Sequence, residues 1–97
     1  MTDEKRVELL KPHLDRARRM TAERLRSIPA SPVHQSIGAQ LDAIAADLET
    51  GRAPNPEVRD RIMLGVYAAR EIEDVDPEYA DVLHKVSYLY KHGGTVA

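Results

Sequence analysis

The chain of 97 residues contains no cysteine, no tryptophan and no phenylalanine. Without Cys there can be no disulfide, no thiol nucleophile and no Cys-ligated zinc, which excludes a small stapled secreted scaffold but is otherwise neutral between compartments. The only aromatics are four Tyr, so a core has to be assembled from Leu, Ile, Val and Ala, a composition that suits helices. Long apolar runs are missing too. The N-terminus, MTDEKRVELLK, is charged within five residues and has no signal-peptide core, and no stretch approaches the about 20 apolar residues of a membrane span. A cytoplasmic protein with no membrane partner is expected. The length fits one domain, 1–97, which buries about two-thirds of the unfolded chain's surface without staples.

Charge of either sign is scarce in net terms, at −2, but it is unevenly placed. Residues 1–26 hold eight Lys/Arg against five Asp/Glu, and residues 27–97 hold six against eleven. A nucleic-acid partner requires a basic face to displace counterions, and here the most distinctive sequence is acidic, which argues against DNA or RNA. Arg16, Arg18, Arg19, Arg24 and Arg26 read as a solvated helix face.

Four helical patterns and no strand follow from the spacing of apolar residues. The first runs from about Pro12 to Ile28, with Leu10, Leu14, Ala17, Thr21, Leu25 and Ile28 on one face. Residues 3–10 can extend it, and Pro12 either starts the main helix or kinks a longer one. The second opens at Ser31-Pro32, buries Val33, Ile37, Leu41, Ile44 and Leu48, offers small residues to a neighbour at Gly38, Ala39, Ala43, Ala45 and Ala46, and stops at Thr50-Gly51. After the loop Arg52-Ala53-Pro54, the third opens at Asn55-Pro56 and runs to Asp74 with Val58, Ile62, Gly65, Val66, Ala69 and Ile72 inward. The fourth opens at Asp76-Pro77, buries Tyr79, Val82, Leu83, Val86, Leu89 and Tyr90, and ends at His92-Gly93-Gly94. Three openings thus share one grammar, a capping side chain followed by Pro, whose missing N–H costs nothing in the first turn. Short loops between such helices predict an all-α fold, a compact antiparallel bundle of about four helices, with residues 93–97 as a fraying tail.

Little in the chain carries chemistry. His13, His34, His84 and His92 fall in three different patterns without metal-ligand spacing, and Asp81 and His84 are expected to face each other as a surface hydrogen bond. Glu71 and Asp74 have the ExxD spacing of magnesium-dependent helical pyrophosphohydrolases, but their only possible facing carboxylates, Asp42 and Asp47, do not share a face. There is no phosphate-binding Gly loop, and nucleophilic chemistry would need Ser27, Ser31, Ser36 or Ser87 beside a His, with Ser31 already accounted for as a helix cap, so no enzyme, metal or cofactor is expected.

A binding surface is the stronger expectation. Six acids and no base fall in the corner from Glu71 to Asp81, more than a helix cap needs. Helical rotation puts Met63 and Tyr67 on the far side of helix three and Tyr88 outward on helix four beside Asp81, His84 and Lys85. Exposed Tyr and Met among carboxylates match interface cores.

Residues 64–90, LGVYAAREIEDVDPEYADVLHKVSYLY, carry a resemblance to a known family. The shared pattern is Leu64-Gly65, the small pair Ala68-Ala69, Arg70-Glu71, the Asp76-Pro77-Glu78 helix start and the Tyr88 region, with weaker likeness at Leu25 to Pro29, Gln40, Ile44 and Leu48. In these the chain resembles the small helical immunity proteins against type VI secretion effectors with NAD(P)+ glycohydrolase activity. The likeness covers about four-fifths of the chain, and the first eleven residues lie beyond it as an extension. The resemblance implies a cytoplasmic antitoxin that docks on a toxin domain and does no chemistry; related immunity proteins guard against effectors that consume ATP. Charge and exposure, not the family, put the contact at Tyr67, Glu71, Glu73, Asp74, Asp81 and Tyr88. A different expectation is a helical adaptor or homodimer pairing through the Met63 and Tyr67 face.

Overall fold

The caps are where the sequence puts them. In the computed structural model, which describes residues 3–51 and 54–92, Ser31 accepts the His34 N–H and Asn55 accepts the Glu57 N–H, each with Pro in the next position. The helices are α1 (Asp3–Ser27), α2 (Pro32–Glu49), α3 (Pro56–Arg61), α4 (Leu64–Tyr67) continuing into a π-helical turn (Ala68–Ile72), and α5 (Pro77–His92). Gly51 closes α2 with φ of 74°, the left-handed conformation that only Gly takes freely. Residues 52–53 and 93–97, and with them part of the predicted loop, the Gly93-Gly94 helix end and the tail, lie outside the described residues.

Pro12 lies inside α1 rather than at its start, so this 25-residue helix gives up one internal hydrogen bond. At a rise of about 1.5 Å per residue α1 is nearly as long as the whole 38 Å molecule, and it serves as the spine. It packs along both α2 and α5; α4 and the π turn complete the ring by packing on α5, with α4 also touching α2. The result is an all-α four-membered bundle, as the patterns predict. Its core is aliphatic apart from Tyr79 and Tyr90, and includes Leu10, Leu14, Ile37, Leu41, Ile44, Leu64, Leu83 and Val86. Gly38 lets α2 approach α1, where an added methyl would touch Thr21 and Leu25, whereas Ala39 and Ala46 face solvent. Ile28, expected inward, is exposed because α1 ends at Ser27 and the chain turns away, Ser31 N–H bonding Ile28 C=O.

The third helix departs most from expectation. Rather than one helix from Asn55 to Asp74, the chain breaks at Ile62, which is extended (φ −78°, ψ 121°), and Met63 donates its N–H to the Gln40 side chain at 2.5 Å. The cause is packing. Ile62 and Leu64 are both fully buried, and two positions apart on a continuous helix they would point to nearly opposite sides. The break brings both inward and resets the register of the next two turns: Leu64, Ala68 and Ile72 form the inner row, while Val66 and Ala69, expected inside, face out. The π turn, closed by Glu73 N–H on Ala68 C=O at 2.8 Å, ends this arm.

Buried polar groups tie the far end of the bundle. Asp47, only 4% exposed, accepts hydrogen bonds from the Tyr90 hydroxyl and the Asn55 N–H, while Arg6 donates to the Tyr90 carbonyl. Burial, and then the Asp47 carboxylate, push the Tyr90 hydroxyl far above its ordinary pKa, so it stays a donor. Replacing Asp47 by Ala strands a buried hydroxyl and a backbone N–H. The expected loss is about 2–4 kcal/mol in urea unfolding, with Asp47→Asn, which can still accept, losing less.

Candidate partner-binding surface

The acidic corner is built where the π turn hands over to α5. Val75 and Asp76 both donate their N–H groups to the Ile72 carbonyl, at 3.0 and 2.8 Å, which folds the chain back within three residues. Asp76 then opens α5, its carboxylate accepting the Tyr79 N–H as a cap. The same carboxylate takes a fork from Arg24 of α1, Nε to Oδ2 at 2.6 Å and Nη2 to Oδ1 at 3.2 Å. Arg24 also donates to the Met20 carbonyl and lies over the Tyr79 ring, 4.7 Å from its centroid. It is therefore not part of a solvated basic face: its side chain is 26% exposed and that of Asp76 28%. The fork holds the Asp76 carboxyl below its usual range, the hydrogen bond outweighing partial burial.

The six acids of the corner divide by partner. Asp76 and Glu78 are turned to α1, Glu78 accepting from Arg16 at 2.6 Å across an exposed surface. Glu73 reaches His84 at 3.6 Å and Asp81 reaches Lys85 at 3.0 Å, so the expected Asp81–His84 pair does not form; the inter-helix carboxylate takes the imidazole. Glu71 and Asp74 remain. Both are exposed, and neither makes an ion pair among the described residues.

These pairings decide where the expected contact residues sit. Glu73, Asp81 and Tyr88 lie on one surface, since Glu73 meets His84, and residues 81, 84, 85 and 88 share a face of α5. Tyr88 is 51% exposed, and Val66 lies out on α4, which packs closely on α5 where Gly65 meets Ser87. Tyr67, expected on the outer side with Met63, is half-buried against the core, its hydroxyl accepting from Ser36 of α2. The break at Ile62 is what turns it. Val75, which is 80% exposed at the tip of the acidic corner, is a surface residue that sequence reasoning misses.

Behind the corner, Tyr79 stacks on His34 with centroids 5.8 Å apart. Thr21 Oγ1 donates its single proton to the Ala17 carbonyl at 2.7 Å, which makes Tyr79 the donor in the 2.6 Å Thr21–Tyr79 hydroxyl contact. No three His, Asp or Glu among the described residues converge as metal ligands, and Asp42 and Asp47 of the second helix are occupied elsewhere, by Arg18 and by Tyr90. An open groove of about 430 Å³ runs between α1 and α2, lined by Arg18, Thr21, Ala22, Leu25, Gly38, Leu41 and Asp42, where the Asp42 carboxylate is paired with Arg18.

A family model covers most of the chain. The Tsi6 model matches residues 10–92. The chain belongs to the Tsi6 family. Tsi6 proteins are type VI secretion immunity proteins, so this family member's partner is a cognate toxin. No curated protein and no solved structure matches the chain. No described helix is long and apolar enough to cross a membrane.

The cluster behind the corner makes stability depend on pH. Burial, then the Arg24 charge, hold His34 below its ordinary 6.5, so the unfolded chain takes a proton that the fold resists. This contribution is complete above about pH 6.5 and is lost as the pH falls towards the lower folded value. The Asp76 contribution is complete above its ordinary 3.8 and is lost at still lower pH. Urea midpoints measured from pH 7.5 to 3 are expected to fall in these two stages, and His34→Gln is expected to flatten the first.

Proposed function

We propose that the protein protects its cell by covering the active site of a toxin domain that hydrolyses NAD(P)+, acting in the cytoplasm where that nucleotide is consumed. The covering surface is the acidic corner with the adjoining α5 face: Tyr67, Glu71, Glu73, Asp74, Asp81 and Tyr88. The observation that carries this is the pair Glu71 and Asp74, exposed carboxylates that balance no cation of their own chain among the described residues. A cleft that binds dinucleotide phosphates is positive, and an inhibitor that presents fixed carboxylates matches the charge of the ligand it excludes. Within the set, Glu73 and Asp81 have cationic or protonatable neighbours and act through shape together with Tyr88, while the half-buried Tyr67 offers only part of its ring. Pairing of two copies through a joint Met63 and Tyr67 face has less support, because Met63 is outward and Tyr67 is turned to α2.

Titrating this protein into the toxin domain encoded beside it, with NAD+ hydrolysis as the readout, is expected to abolish activity at one-to-one stoichiometry. Absence of both inhibition and calorimetric binding would overturn the reading. Glu71→Lys with Asp74→Lys is expected to weaken binding at least tenfold, about 1.4 kcal/mol, and to slow association most at low salt. A change below about threefold would remove the acidic mimicry while leaving the immunity role intact.

A further inference from the structure

We infer that Arg24, which lies on α1 and outside the proposed contact set, is the positioning residue of the toxin-binding corner: its fork on Asp76 holds the Asp74-Val75 tip in the shape that docks. The inference rests on the proposed use of the acidic corner for binding. On its entry side the tip is held at Glu73, by its N–H on the Ala68 carbonyl and its contact with His84; its exit side rests on fewer ties. Val75 is 80% exposed, Asp74 is exposed without an ion pair among the described residues, and the local ties are the Val75 and Asp76 N–H groups sharing one acceptor, the Ile72 carbonyl. The carbonyl has a lone pair for each N–H, but both ties end on one residue, so the direction in which the turn leaves depends on what fixes its next residue. That residue is Asp76.

The guanidinium reaches it with two parallel bonds and is itself fixed by the Met20 carbonyl and the Tyr79 ring. A planar fork of this sort transmits orientation, which a single ammonium cannot. Asp76 in turn caps α5, so one carboxylate sets both the direction of the helix that carries Asp81 and Tyr88 and the exit of the tip that carries Asp74 and Val75. The neighbouring Arg16–Glu78 pair spans the same two helices but is solvent-exposed on both sides and touches no part of the turn. It is the natural control. Pre-organisation of this kind lowers the ordering cost of binding without adding a contact.

The test compares Arg24→Lys, which keeps the charge and loses the fork, with Arg16→Lys, each at a temperature where circular dichroism shows full helicity. Arg24→Lys is expected to weaken binding of the catalytically inactive toxin domain about tenfold and Arg16→Lys less than twofold. In the free protein, amide exchange at Val75 and Asp76 is expected to accelerate in Arg24→Lys alone. Asp74→Asn is expected to weaken binding of the wild type but to add little in the Arg24→Lys background, the non-additivity of residues that act as one unit. Full additivity with unchanged exchange would reduce Arg24 to a general stabiliser and overturn the inference. Unchanged affinity of Arg24→Lys, with Glu71→Lys and Asp74→Lys still damaging, would overturn it while the acidic corner stood; no effect from any of them would remove the corner and the inference together. If Arg24→Lys does not fold, Asp76→Asn, which keeps an acceptor for the Tyr79 N–H, carries the same expectations.

Discussion

Tyr79 and Tyr90 bury their rings completely, and each carries into the core a hydroxyl that has lost water and must find a partner. Because the chain has no Phe or Trp, these are its largest aromatic core side chains, and their hydroxyls tie α5 to α1 and to the far end of α2. Tyr79 donates to Thr21 of α1 and Tyr90 to Asp47 of α2, so α5 is bound at two levels to two different helices. Aliphatic packing fills the space between these points and supplies most of the stability, but such packing is non-directional. The hydroxyls fix register. No buried side-chain polar atom among the described residues lacks a partner, so this register is satisfied throughout.

Legibility in the sequence is a matter of range. Ser31-Pro32, Asn55-Pro56 and Asp76-Pro77 are local signals, and the helices start there because a cap and a Pro act within one turn. The break at Ile62 is not local. It arises because Leu64 is also drawn into the core, and the stripe of Val58, Ile62, Val66 and Ala69 looks complete without it. The polar residues of the core escape sequence reasoning for a different reason. Arg6 stands four before Leu10 and Asp47 three after Ile44, each in phase with a buried row, yet charge suggests solvent. Position on the helix is the better guide, because each charge has its partner inside.

The candidate surface is legible as composition and only partly as geometry. A run of acids is plain in the sequence, but which of them face α1 depends on α1 lying beside α5. Once it does, Asp76 and Glu78 belong to the fold, and Glu73 and Asp81 belong to the surface of α5. Val75 escapes notice because an isolated Val between two Asp reads as part of a turn; its exposure comes from the back-folding onto the Ile72 carbonyl.

The division of labour among these carboxylates also bears on how such a protein can change. Asp47 and Asp76 each hold donors of the fold, the Tyr90 hydroxyl and the Arg24 guanidinium, so neither can vary without disturbing its partner. Glu71 and Asp74 carry no such obligation, and substitutions at exposed, unpartnered positions usually shift stability by less than about 0.5 kcal/mol. On the proposed use of the corner, a lineage can therefore retune its match to a drifting toxin at these two positions, one charge at a time, with the fold undisturbed. Divergence in specificity and constancy of architecture would then be written into the same short corner, side by side and nearly independent of each other.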